Sequence, residues 1–325
     1  MFDLLAKVAN AFGVSGNEEE VRQVIINEIS DNVDEINVDA LGNLFALKKG
    51  KGKKIMVAAH MDEIGVMATY TDEKGFIRFT NIGGVSPFNS IGQRVRFKSG
   101  VIGVVFYEEK IEDIKKLNLS KMYIDIGAKN REETEKLIKI GDTASFCGNT
   151  VKQGDYVISK AMDNRSGCAV AIEALKNMPQ TENEIYCVFT VQEEMGLRGA
   201  KTAAYQIMPD YSIVLDVTGT GDKPESPLME VKLGAGPAIK IKDNSVICHP
   251  EVRRLLKESA EKLNIPYQYE ILERGGTDTG AIHITGGGIP SGAISVPCRY
   301  IHTPSEMINM QDFKNAVKLL IEAIK

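Results

Sequence analysis

Two adjacent glutamates, Glu193 and Glu194, stand in the middle of the stretch YCVFTVQEEMGLRGA. The apolar and β-favouring run before them has the look of a buried strand. Like charges side by side repel, and burial strengthens the repulsion. Such a pair calls for positive charge beside it, or for one member to be engaged in proton chemistry. Other residues of this kind sit where strand-like runs end. His60 and Asp62 follow KIMVAA, Asp216 closes YSIVLD, and His302, in CRYIHTPSE, follows GAISVP. Asp163, in KAMDNRSG, immediately precedes a helical stretch. Taken singly, each has an ordinary reading, as a core histidine, a helix N-cap or a strand-end turn. Taken together, they place acids and histidines at the carboxyl edge of one sheet, where open α/β folds gather functional groups.

The chemistry that needs this set is a two-metal hydrolytic site. Two divalent cations close together want a bridging carboxylate plus histidine and carboxylate ligands on each. Their positive charge is cancelled by three ligand carboxylates and a hydroxide, which leaves one carboxylate spare as a base. One glutamate of the pair is therefore expected to bind metal and the other to take a proton from water. Adjacent strand residues point in opposite directions, so the pair must lie where the strand has ended and the backbone turns. The His-x-Asp spacing of His60 and Asp62 suits a hydrogen bond that orients the imidazole.

The elements around these residues alternate. A helix is expected near Asp3–Phe12 and a second from Ser15 onward, in SGNEEEVRQVIINEI, followed by the strand-like runs EINVDAL, LFALKK and KIMVAAHM. The last is nearly continuously apolar, as in a strand covered on both faces. From about Val66 to Asp155 the texture changes to short β segments broken by Gly, Asn and Asp, with one helical stretch, REETEKLIKI. After Val157 helices and strands alternate again, ending in QDFKNAVKLLIEAI. The expectation is an α/β fold, a mostly parallel sheet with helices on both faces. Residues 1–65 and 156–325 form the catalytic domain, and residues 66–155 form an inserted, mostly β domain.

Composition narrows the field. With 43% hydrophobic and 26% charged residues the chain reads as globular, and at a net charge of -5 with no long basic run it offers nothing for nucleic acid. No stretch approaches the ~18 apolar residues that span a bilayer, and the N-terminal stretch lacks the pattern of a signal peptide. The five cysteines are scattered, with no CxxC pair, which argues against disulfides and thiolate zinc sites and fits a cytoplasmic location. Glycines at 219, 221 and 286–288 form no phosphate-binding motif.

The stretches AAHMDEIGVM, AMDNRSG, VQEEMGLRGA, IVLDVTGTGD, GGTDTGAIH and ISVPCRYIHTPSEMI, in that order, resemble the tetrahedral (TET-type) metallo-aminopeptidases, relatives of glutamyl and deblocking aminopeptidases. The resemblance covers essentially the whole chain. It implies two divalent metal ions per subunit, bridged by Asp163. His60 and Asp216 complete one site, and Glu194 and His302 the other. It makes Glu193 the general base and Asp62 the residue that orients His60. It also implies peptide substrates, dimer contacts through the β insertion, and assembly of dimers into a hollow dodecamer. Zinc, cobalt or manganese suits the mixed ligands. A neutral, leucine-like preference at the N-terminal residue is expected.

Other residues invite weighing. Arg165 reads as a structural ion pair near the site. Arg299, Gly275, Gly276 and Thr277 are candidates for the substrate pocket. His249 reads as a loop residue before a helix, His283 as structural with support of the site as its alternative, and Asp278 equally as a helix-terminus acceptor or a residue of the pocket block. The rival activities are another metallo-exopeptidase or deacylase, an endoglucanase, and a non-enzymatic metal-stabilised scaffold. Glycoside hydrolysis by two carboxylates leaves the histidines without a role, and a structural metal site leaves no place for a spare base.

Overall fold

The computed structural model describes residues 1–108, 113–226 and 228–325. The chain opens with helices α1 (Phe2–Asn10) and α2 (Glu19–Ile29). The second starts four residues later than the sequence pattern suggests, because a turn comes first: Gly16 takes a φ of 84° and the Asn17 N–H donates to the Val14 carbonyl at 2.8 Å, while the Ser15 hydroxyl donates to Asp62 Oδ2 at 2.6 Å. Strands β1 (Glu35–Val38), β2 (Leu44–Lys48) and β3 (Lys54–His60) follow.

The β insertion is a closed barrel. Its strands are β4 (Gly65–Thr71), β5 (Ile77–Ile82), β6 (Arg94–Phe97), β7 (Ile102–Tyr107), β8 (Met122–Asp125) and β9 (Thr143–Phe146), joined in the order β4-β5-β8-β7-β6-β9. Closure leaves no open edge. Inward positions alternate along each strand, so Val66, Phe79, Val95, Phe97, Val105 and Ile124 fill a core of their own. Helices α3 (Pro87–Ser90) and α4 (Arg131–Leu137) lie in its connections. Residues 147–155 have the same broken polar texture as the barrel, but they lead through β10 (Val151–Gln153) back into the large sheet, where β10 pairs with β11 (Tyr156–Ser159).

The remaining elements are α5 (Met162–Asn177), β12 (Glu184–Thr190), α6 (Arg198–Ile207), β13 (Tyr211–Thr218), β14 (Ala238–Lys242), α7 (Pro250–Lys262), β15 (Gln268–Ile271), α8 (Asp278–Ile282), β16 (Ser291–Arg299), β17 (Glu306–Asn309) and α9 (Met310–Ile324). The large sheet runs β1-β2-β12-β3-β13-β16-β17-β11-β10, with β14 and β15 branching from β16. Its centre, β12-β3-β13-β16, is parallel, while both flanks are antiparallel. Strand β3 shows why its sequence reads as uninterrupted apolar. Ile55, Val57 and Ala59 face one core, with α1, α2, α5 and α9, while Met56 and Ala58 face another, with α6 and α8. Every parallel strand at the centre thus delivers its carboxyl end to one edge.

Candidate metal centre

His60 is the last residue of β3, and Asp216 lies near the end of β13. Beyond β12 the backbone turns through Gln192, at a left-handed φ of 53°. The pair therefore sits past the strand, as its repulsion requires. The Asp62 carboxylate holds the turn, accepting the Glu193 N–H at Oδ1 (3.0 Å) and the Glu194 N–H at Oδ2 (3.2 Å). One buried acid thus positions both glutamates and also faces His60, whose Nδ1 lies 3.4 Å from Asp62 Oδ1 and 3.2 Å from its carbonyl oxygen.

The two glutamates then part. Glu193 Oε2 lies 3.9 Å from His60 Nε2, whereas Glu194 Oε1 lies 3.1 Å from His302 Nε2. Asp163 stands between the histidines, with Oδ1 3.1 Å from His60 Nε2 and Oδ2 3.4 Å from His302 Nε2. Asp216 Oδ1 is 3.8 Å from His60 Nε2. Asp163 is no helix cap. Its backbone is extended (φ -79°, ψ 104°), its peptide bond to Asn164 is cis, and its side chain points away from the helix amides into the cluster. Asn164 ties this segment to β13 by donating from Nδ2 to the Leu215 carbonyl at 2.8 Å.

The side chains make two groups that could each hold a metal ion: His60, Asp163 and Asp216, and Asp163, Glu194 and His302. Within each group the donor atoms all lie within 4.8 Å of one another. Asp163 belongs to both. The donor set fits cations in a further respect, because the buried Glu194 Oε1 has no hydrogen-bond partner although His302 is adjacent. Imidazole and carboxylate converge there on a common point.

The electrostatics show the same deficit of positive charge. Burial disfavours an imidazolium at His60, yet Glu193, Asp163, Asp62 and Asp216 outweigh it and hold its pKa well above the ordinary value. His302, also opposed by burial, is pushed up to about 11 by Asp163 and Glu194. Burial and mutual repulsion raise Glu193, Glu194 and Asp216. Asp62 and Asp163 stay below the usual range despite burial, held down chiefly by the histidines and, for Asp62, the Ser15 hydroxyl. Protons or cations would each relieve this crowding of buried acids.

One residue of the site escaped the sequence reading. Glu306, buried on β17, accepts the Asp163 N–H at Oε2 (2.8 Å) and the His302 N–H at Oε1 (2.7 Å). A single carboxylate thus clamps two cluster-bearing loops, one of them with His302 at φ 63°. Glu306→Ala is expected to lower metal affinity by about 10–100-fold, the usual effect of removing a group that holds a ligand in place. It also strands two part-buried N–H groups at about 1 kcal/mol each. Metal titration together with thermal melting checks both effects, and Glu306→Gln, which keeps one acceptor, should fall between.

The barrel reaches this centre. A Cβ at Gly84 would come within 2.3 Å of His302 Nδ1, and one at Gly83 within 2.8 Å of Glu194 Oε2. The loop after β5 therefore needs glycine to pass so close. Behind the site, Arg165 is fully buried. It pairs with Glu63 (3.3 Å) and donates to the Val8 and Ala11 carbonyls, fastening the N-terminal segment. Arg299 pairs with Asp222, and His249 caps α7 by accepting the Glu251 N–H. His283 Nδ1 faces the Thr279 carbonyl at 3.0 Å. Asp278 makes no helix cap. It accepts from Thr190 Oγ1 at 2.5 Å, and burial raises its pKa to about 6. The cluster opens into a cleft of about 360 Å³ whose other walls include Leu197, Val217, Gly275, Gly276 and Thr277.

Known proteins resemble this chain over essentially its whole length. The chain is 68% identical over 324 residues to a putative aminopeptidase of Acetivibrio thermocellus, covering 100% of this chain and 98% of the relative. It is 34% identical to a lysyl aminopeptidase of Pyrococcus furiosus, covering 100% and 97%. The fold matches a solved peptidase of Pyrococcus horikoshii, described as able to assemble into a tetrahedron or a large octahedral shell, with a TM-score of 0.90 and 35% identity over 99% of this chain and 98% of that one. The family model described as M42 glutamyl aminopeptidase matches residues 42–319. The chain belongs to the M42 glutamyl aminopeptidase family.

Proposed function

We propose that this protein is a cytoplasmic aminopeptidase that uses two divalent metal ions to hydrolyse N-terminal residues from peptides. The observation that carries the reading is a pair of ligand groups sharing Asp163, with Glu193 beside them and outside both. Asp163 would bridge the ions, with His60 and Asp216 on one and Glu194 and His302 on the other. When bound, the ions supply positive charge that polarises the scissile carbonyl and lowers the pKa of water. Glu193 removes a proton from the water as its oxygen attacks the carbonyl carbon, then returns that proton to the departing amine as the C–N bond breaks. Asp62 keeps both His60 and the Glu193 backbone in place throughout. The histidines at the centre of the cluster count against a two-carboxylate glycosidase, and the uncommitted Glu193 counts against a purely structural metal site.

Zinc, cobalt or manganese suits the ligand set. The five free cysteines are compatible with a reducing cytoplasm, and among the described residues no helix is long and apolar enough to cross a membrane. Dimers through the barrel, assembling to a dodecamer, complete the proposal. The exposed apolar residues Ile102, Val104 and Phe106 on one face of β7 support a contact there.

Chelation is expected to abolish hydrolysis of leucine p-nitroanilide, and adding back one of the three metals to restore it. The N-acetylated substrate should remain uncut. Activity that persists after measured loss of metal would overturn the metal reading. Preferential cleavage of acylated amino acids would move the protein to the deacylases.

A further inference from the structure

Taking the proposed aminopeptidase activity as its basis, we infer that this enzyme selects peptides with a neutral aliphatic N-terminal residue, leucine or methionine, and rejects glutamate and lysine. The argument rests on what the cleft offers beyond the acids and histidines of the metal centre. Leu197, Val217, Leu272 and Ile301 form most of its walls, Thr218 and Thr277 add two uncharged polar side chains, and the glycines add bare backbone. Three of the four apolar groups are tied to the reacting centre by the chain itself. Val217 follows Asp216, Ile301 precedes His302, and the Leu197 N–H donates to the Glu193 carbonyl at 2.9 Å. The first side chain of a peptide positioned for attack therefore meets hydrocarbon.

A charged side chain would need a partner in that wall. No lysine or arginine is among the described lining residues. Of the nearby cations, Arg274 is exposed and lies outside the lining, and two others are paired. Arg299 pairs with Asp222, and Lys240, fully buried, pairs with Glu270 and Asp243. An N-terminal glutamate would bury its carboxylate unpaired, beside a cluster already rich in carboxylates. An N-terminal lysine finds no better match. The acids of the cluster are those assigned to the metals and to the base, and Asp278, buried with Oδ2 held by Thr190, is not among the described lining residues. An unpaired buried charge is strongly disfavoured, whereas an aliphatic side chain is favoured in proportion to the area it removes from water. The preference thus departs from the glutamyl activity in the family's description and from the lysyl activity of the Pyrococcus furiosus relative.

The test is kcat/KM of the metal-reconstituted enzyme on the p-nitroanilides of Leu, Met, Ala, Glu and Lys. Leu and Met are expected to exceed Glu and Lys by roughly 100-fold, and to exceed Ala by about tenfold or more for the missing methylenes. Leu272, half-buried on the rim, supplies the second arm. In Leu272→Arg, with metal content and circular dichroism unchanged, the Glu-to-Leu ratio is expected to rise roughly tenfold through a new carboxylate partner. Cleavage with Glu or Lys preferred overturns this inference and leaves the aminopeptidase reading standing. Silence on every free-amine substrate overturns both. A folded Leu272→Arg enzyme with an unchanged ratio removes Leu272 from the specificity wall and overturns the pocket as drawn.

Discussion

Glu193→Gln should still bind two metal ions per chain and should lose about 10²–10⁴-fold in kcat, the range assigned to a positioned general base. The amide has the shape of the carboxylate but cannot take a proton from water. The Glu193 charge also helps raise the His60 pKa, but neither the turn nor the candidate ligand groups rest on it. Glu193 is outside both candidate ligand groups. Its N–H contact to Asp62 and its carbonyl contacts to the Gly196 and Leu197 amides are made by the backbone, so the turn survives the substitution. Metal analysis and steady-state kinetics on one preparation decide the matter. Undiminished turnover would remove Glu193 from the chemistry, while loss of an ion would mark it as a ligand. The retained Glu194 should not substitute as base, because its carboxylate faces His302 rather than His60.

Asp163→Ala is expected to empty both metal positions and to reduce activity to the chelated background. It is the one side chain common to both groups, and its two oxygens face different histidines. Without it each group is left with two ligands, and four carboxylates and two histidines crowd together with no bridge. His60→Ala or Asp216→Ala, in contrast, should weaken one position more than the other. Elemental analysis of Asp163→Ala showing two retained ions would refute the bridging role. A normal circular dichroism spectrum with no metal would show that the effect is local and not unfolding.

Much of this was legible in the sequence because the strands of the parallel centre carry a simple physical mark. They must be apolar on both faces, so His60, Asp216 and the glutamate pair stand out as the points where that demand stops. The same logic did not reach Glu306, which acts on two backbone N–H groups, and a sequence does not display where amides point. Strand β14 was also hidden. In AIKIK the middle lysine reads as solvent-facing, but Lys240 is buried and matched by Glu270 on the neighbouring strand, a pairing made across thirty positions of intervening chain. The carboxyl limit of the inserted domain was blurred for a related reason. Residues 151–153 form an exposed polar edge strand, and nothing in such a strand says which sheet it joins. Arg165 was readable as an ion-paired residue, but its grip on the carbonyls of residues 8 and 11 depends on a chain path that only the fold reveals.

The closeness of Gly84 to His302 bears on how the molecule comes to exist. These residues are far apart in sequence, with four of the six barrel strands and most of the large sheet between them. Contacts of such range are slow to form, because the intervening loops must close before any gain is realised. The barrel can condense on local hairpins, and so can parts of the sheet, yet neither alone contains a finished site. Competence must arrive late, when the two bodies dock and the glycine loop seats against the imidazole.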